Sequence, residues 1–123
     1  MTERTEPTFT AAIYMAGDLA AARQVCREFC MSVGLCVTVE PTWFAYTGGA
    51  EDGVRVGLLN YPRFPAVPAE IVAKARALAD LLRDRLCQHS WLIVTPDETI
   101  WNSTRDPAAD PAARALPLTS PGA

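Results

Sequence analysis

Phe9, Ala11, Ile13 and Met15 alternate with Thr10, Ala12 and Tyr14, the period-two pattern of a strand with one buried face. Gly17-Asp18 ends that run, and Asp18 is placed to accept from the free amides of a following helix. From Leu19 to Val33 the period changes: Leu19, Ala22, Val25, Cys26, Phe29, Cys30 and Val33 recur at helical spacing, with Arg23, Arg27 and Glu28 mostly elsewhere. Gly34 supplies a left-handed stop. Leu35 to Glu40 alternates again, which predicts a strand turning Leu35, Val37 and Val39 to the helices and Cys36, Thr38 and Glu40 to the other side. Pro41 has no amide hydrogen, so a bulge or bend is expected before the strand resumes through Trp43 to Thr47.

Gly48-Gly49-Ala50-Glu51-Asp52-Gly53 reads as a turn, and Val54 to Leu59 as the returning strand, with Gly57 leaving room for a close approach. Tyr61-Pro62 and Phe64-Pro65 hold the next connection extended. Pro68 and Glu70 open a second helix, whose stripe is Ile71, Ala75, Leu78, Leu82 and Leu86. Ser90 to Thr95 and Thr99 to Asn102 form a last strand pair, joined at Pro96-Asp97-Glu98. The order β-α-β-β-α-β plus a C-terminal β predicts an α+β ferredoxin-like plait, an antiparallel sheet with both helices on one face. Residues 1–7 are expected to be a disordered leader, 8–102 a single domain, and 103–123 a disordered tail rich in Pro and Ala. The uncovered face of the sheet is the natural seat for a second copy or a ligand.

Half of the 123 residues are hydrophobic, enough for one core and too few for two. The net charge of −3 provides no field to gather nucleic acid non-specifically. No apolar run approaches the roughly 20 residues a bilayer requires, so no membrane is expected; a cytoplasmic location and reduced thiols are.

Candidate chemistry is sparse. Cys26, Cys30, Cys36, Cys87 and His89 have the right atoms for zinc, but not the spacing of paired knuckles, and packing is the favoured role of the thiols. His89 and Ser90 are neighbours on an extended segment and do not make a triad. The glycines at 48, 49 and 53 lack the Lys-Ser/Thr and the helix of a phosphate loop. Asn102-Ser103-Thr104 matches a glycosylation sequon, inert in a cytoplasmic protein. What stands out is a set of rings, Trp43, Phe44, Tyr46, Tyr61, Phe64, Trp91 and Trp101, interleaved with Arg55, Arg63 and Asn102. Most are expected in the core. Tyr61, Arg63 and Trp101 lead the predicted binding site, with Arg55, Asn102 and Trp43 beside them, because strand ends and loops carry function. No cofactor or metal is expected.

The segments Tyr14-Met-Ala-Gly-Asp18, Gly34-Leu-Cys-Val-Thr38 and Asn60-Tyr-Pro-Arg-Phe-Pro65 resemble those of small uncharacterised proteins encoded by bacteriophages and prophages. The resemblance covers about Thr8 to Asn102 and implies a bacterial cytoplasm during infection, with no residue role to carry across. With the missing catalytic set, it leads to the expectation of a non-catalytic binding protein, a homodimer. Its partner would be a host defence component that it inhibits, or a nucleotide-like signal that it sequesters. Two alternatives stand beside it: a small enzyme with a site assembled across a dimer interface and His89, Asp97 or Glu98 as base, and a structural subunit of a larger assembly.

Overall fold

Alternating and helical periods give seven elements in the computed structural model, which describes residues 1–105. They are β1 (Thr10–Ala16), α1 (Leu19–Val33), β2 (Thr38–Tyr46), β3 (Gly49–Leu59), α2 (Pro68–Arg85), β4 (Ser90–Val94) and β5 (Thr99–Ser103). The sheet order is β2-β3-β1-β4-β5, every neighbour antiparallel. This is the ferredoxin-like plait with β5 added beside β4.

One side of the sheet meets both helices. Ile13, Val54, Val56, Leu58 and Ile93 pack there against Ala22, Val25 and Cys26 of α1 and Ala75, Leu78 and Leu82 of α2. Burying each large aliphatic side chain contributes roughly 1.5–3 kcal/mol. Trp91 joins this core at 2% exposure, and its Nε1 donates to Asp80 Oδ1 at 2.9 Å, which satisfies the one polar group it carries inward. The helices start and stop where their ends are capped. Asp18 accepts from the Ala21 amide at 2.8 Å, and Gly34 takes φ 73°, a conformation a side chain would strain.

Four boundaries differ from the sequence reading, the first being that β2 begins at Thr38, so Leu35, Cys36 and Val37 lie in the connection after α1 rather than in a strand. β2 runs without a bulge from Thr38↔Gly57 to Tyr46↔Gly49, with Pro41 paired to Val54 in register. β2 is an edge strand, and an edge can turn the missing donor of a proline outward. β3 begins at Gly49, because the turn is only Thr47-Gly48, with Gly48 at φ 93°. Glu51 and Asp52 therefore lie in a strand, where water reaches both faces. β5 extends to Ser103, taking in the first residue assigned to the tail. The rest of that predicted tail from 106 onward lies outside the described residues. At the other end, the Pro7 carbonyl accepts from Asn60 Nδ2 at 2.8 Å, which fastens the segment leading into β1 to the β3–α2 connection.

The long hairpin has a consequence for shape. β1 pairs with β3 only as far as Ala16↔Gly53, so residues 43–52 continue as a two-stranded arm with no third strand beside them. No helix among the described residues is long and apolar enough to cross a membrane.

Candidate functional site

The side of the sheet away from the helices carries one cross-strand row over all five strands: Glu40, Arg55, Tyr14, Leu92 and Trp101. Arg55 Nε donates to the Tyr14 hydroxyl at 3.2 Å, and its Nη1 donates to Glu40 Oε1 at 3.0 Å. The Tyr14 bond foremost holds the guanidinium above its ordinary value, opposed by burial and supported by the pairing with Glu40. The row is thus cross-braced, with an aromatic ring at its β5 end.

Next to that row come small residues: Gly53 paired with Ala16, and Ser90 paired with Ser103. Small side chains between large ones leave a trough. A groove of about 450 Å³ opens there, with Ala16, Ser90 and Ser103 low in it, the rings of Tyr14, Phe44 and Trp101 around it, and Glu51, His89 and Arg105 along its rim. Gly53 is required at the wall: a Cβ there would run into the Phe44 ring and come within 2.6 Å of the Met15 carbonyl oxygen. The volume lies within the ~300–1,000 Å³ of small-molecule sites, and the lining is more polar than is usual for them, with Glu51, Gln88, His89, Ser90, Ser103 and Arg105 beside the rings.

The structure scatters the predicted site residues. Arg55 and Trp101 share the open face, and Trp101, at 60% exposure, lines the groove. Asn102 points the other way, its Oδ1 accepting from Arg83 Nη1 at 2.6 Å. Trp43 is exposed on the helix-side surface of the arm, outside the groove. Tyr61 and Arg63 belong to the β3–α2 connection at the far end of the sheet; Tyr61 packs on Phe64 with centroids 5.8 Å apart, and Arg63 lies 5.5 Å from the Phe64 ring. Asp97 and Glu98, the other candidate bases, close the β4–β5 turn, their backbone N–H groups donating to Thr95 Oγ1 at 3.3 and 3.1 Å, and neither lines the groove.

Tyr14, Glu51 and Arg105 are groove residues that the sequence reading does not single out, and Phe44 appears there only as one of the set of rings. Strict alternation would have found Tyr14, opposite the buried Ile13. Phe44 and Glu51, cross-strand partners, were hidden by the assumed bulge and turn, and Arg105 by its assignment to the tail. His89 stands at the rim, its carbonyl accepting from the Thr104 amide at 2.8 Å. Among the described residues it makes no side-chain hydrogen bond to a nucleophile or carboxylate. Cys26, Cys30 and Cys36 line a separate cleft between α1 and β2, and no three metal-ligating side chains converge among the described residues.

Fold and groove define a class, a small α+β plait with a ligand-sized trough on its uncovered sheet face. No family model matches the chain, and no curated protein is detectably similar to it in sequence. Among solved structures it is similar to a phage SAM lyase in the apo state, at TM-score 0.68 and 15% identity over 86% of this chain and 98% of that one. It is also similar to a phage SAM lyase in complex with S-methyl-5′-thioadenosine, at TM-score 0.66 and 14% identity over 85% and 95%. What is shared at such identity is the fold.

The likeness corrects the functional expectation. A non-catalytic binding protein was inferred because no catalytic set is visible, but the same fold, over nearly its whole length, is that of a lyase. The absence of a recognisable triad or metal site is therefore no ground against catalysis. Among the readings drawn from the sequence, the small enzyme accords better with this likeness than the inert binder does.

Proposed function

We propose that this chain is a small lyase that cleaves S-adenosylmethionine (SAM) to S-methyl-5′-thioadenosine, with the groove on the open sheet face as its substrate site. The observation that carries the reading is the groove itself: about 450 Å³ combining three rings, an acid and a cation, on a fold shared with a phage SAM lyase solved in complex with S-methyl-5′-thioadenosine. The phage resemblance of its three segments points the same way and sets the reaction in an infected bacterial cytoplasm.

The reaction asks little of side chains. The bond from sulfur to the γ-carbon of the aminobutyrate arm breaks with its electron pair going to sulfur, which becomes a neutral thioether. The arm's own carboxylate oxygen bonds to that carbon and closes homoserine lactone, so no water is consumed and no external base is needed. An internal nucleophile gains its rate from being held opposite the leaving sulfur. As sulfonium and carboxylate neutralise each other, a dry site favours the transition state over the charged substrate.

The groove supplies contacts for each part of such a substrate. Phe44 and Trp101 offer faces on which adenine stacks, and electron-rich rings attract the sulfonium as they do other organic cations. Glu51 is an acceptor for ribose hydroxyls, and Arg105 a partner for the carboxylate as the arm is positioned. Arg55, itself paired with Glu40, donates to the hydroxyl of Tyr14 and so helps fix that ring beside the groove.

Incubation of the purified protein with SAM, followed by liquid chromatography with mass detection, tests the reading. Thioadenosine is expected to appear one for one with SAM lost, faster than in buffer. SAM decaying only at its spontaneous rate would overturn it.

A further inference from the structure

We propose that the cleft between α1 and the chain entering β2 binds a free fatty acid, an anionic head on a single aliphatic chain, at a site separate from the groove. Gly34 turns the chain back at φ 73°, so the segment from Leu35 to Val39 faces the helix it has just left across a space of about 560 Å³. That is a small-molecule volume. Its lining is apolar: Cys26, Cys30, Met31, Val37 and Val39 contribute thiols, a thioether and aliphatic branches, and neither a ring nor a carboxylate lines it.

Arg23 and Arg27 stand at the edge of this lining, one helical turn apart on α1, and among the described residues neither takes part in a salt bridge. Like charges so placed repel one another, and an anion between them relieves the repulsion. The two halves together select the class of ligand. With no ring to stack on, a nucleobase has no seat here, in contrast to the groove with its three rings. An aliphatic chain gains with every methylene it buries, and a carboxylate takes two-pronged bonds from guanidinium groups. Met31, 83% exposed at the cleft, is apolar surface that such a chain would cover.

The occupant would also shield Cys36, an exposed thiol of the cleft. Cys87, the other exposed thiol, lies in the connection after α2 and does not line the cleft. The site stands whether or not the groove turns over SAM.

Calorimetry of the full chain with decanoate, kept below the concentration at which it forms micelles, is expected to show saturable binding. Butyrate and decanol should each bind at least about tenfold more weakly, since one lacks the chain and the other the charge. Arg23→Gln with Arg27→Gln should weaken decanoate binding about 30-fold, as for charge-assisted hydrogen bonds lost. Met31→Glu, which sets a carboxylate against the ligand's own, should abolish binding, and Met31→Leu should keep it; all three positions are exposed, so melting temperatures should stay near that of the wild type. Decanoate at about ten times its dissociation constant should slow alkylation of Cys36 by N-ethylmaleimide about tenfold and leave Cys87 unaffected. No saturable binding of decanoate, binding indifferent to the arginine pair, or equal protection of Cys36 and Cys87 would each overturn the proposal. If the chain instead sediments with phosphatidylglycerol vesicles and leaves decanoate free, the cleft serves a membrane surface and the proposal fails.

Discussion

Trp91 and Trp101 lie ten positions apart on neighbouring strands, yet one is 2% exposed and the other 60%. The difference is one of parity: Trp91 pairs with Asn102 on the helix side, whereas Trp101 pairs with Leu92 on the open side. Trp91→Ala is expected to lower stability by about 3–5 kcal/mol, because its ring fills the core and its Nε1 is tied to Asp80. Chemical denaturation measures this, and a loss under 1 kcal/mol would show the ring to be dispensable. Cys26 gives a pH prediction. Burial, and then the neighbouring Cys30, pushes its thiol from 9.0 up to about 11. The folded chain holds that proton more tightly than the unfolded one, so the contribution is complete below pH 9.0 and is lost as pH rises to about 11. Cys26→Ala should therefore flatten the fall of stability across that window, and an unchanged slope would count against the assignment. The ring set was legible in the sequence as a set. Its division into core and groove was not, because that depends on knowing which face each strand buries.

At the scale of elements, both helices and the order of the strands followed from periodicity, and Asp18 and Gly34 marked the ends of α1 where the structure has them. Asp18→Ala should cost about 1 kcal/mol by freeing the Ala21 amide, with Asp18→Asn largely sparing it; equal losses in thermal melts would refute a capping role. The misread element was the hairpin. Glycine and acid at 48–53 look like a loop from composition alone, but an edge ribbon with water on both faces tolerates the same residues in a strand. The strict register from Thr38 to Tyr46 depends on β2 having a free edge for Pro41, a fact of sheet order that no local pattern contains. Gly53→Ala probes the base of the arm: its methyl would displace the Phe44 ring and press on the Met15 carbonyl. A loss of about 1–3 kcal/mol is expected from such overpacking. Wild-type stability in that variant would mean that Phe44 is not held against the sheet.

At the scale of the whole molecule, the plait makes a helix-covered side that supplies stability and an open side free to evolve chemistry. Tyr14, Phe44, Glu51 and Trp101 come from four different strands, and only the fold brings them around one groove. Sequence motifs point toward an inert binder because the residues around the groove are distant in the chain, and in the proposed reaction the substrate would supply its own nucleophile and leave no catalytic signature to find. Superfolds host many activities, so the groove rather than the fold must carry the functional claim. The most direct test is the rate of thioadenosine release from SAM, measured side by side for the wild type and Trp101→Ala. The wild type should exceed the spontaneous rate, and the variant, with its melting temperature nearly unchanged, should show KM raised about tenfold, as expected when a stacked base loses its ring. No release above buffer, or a variant kinetically identical to the wild type, would contradict the account.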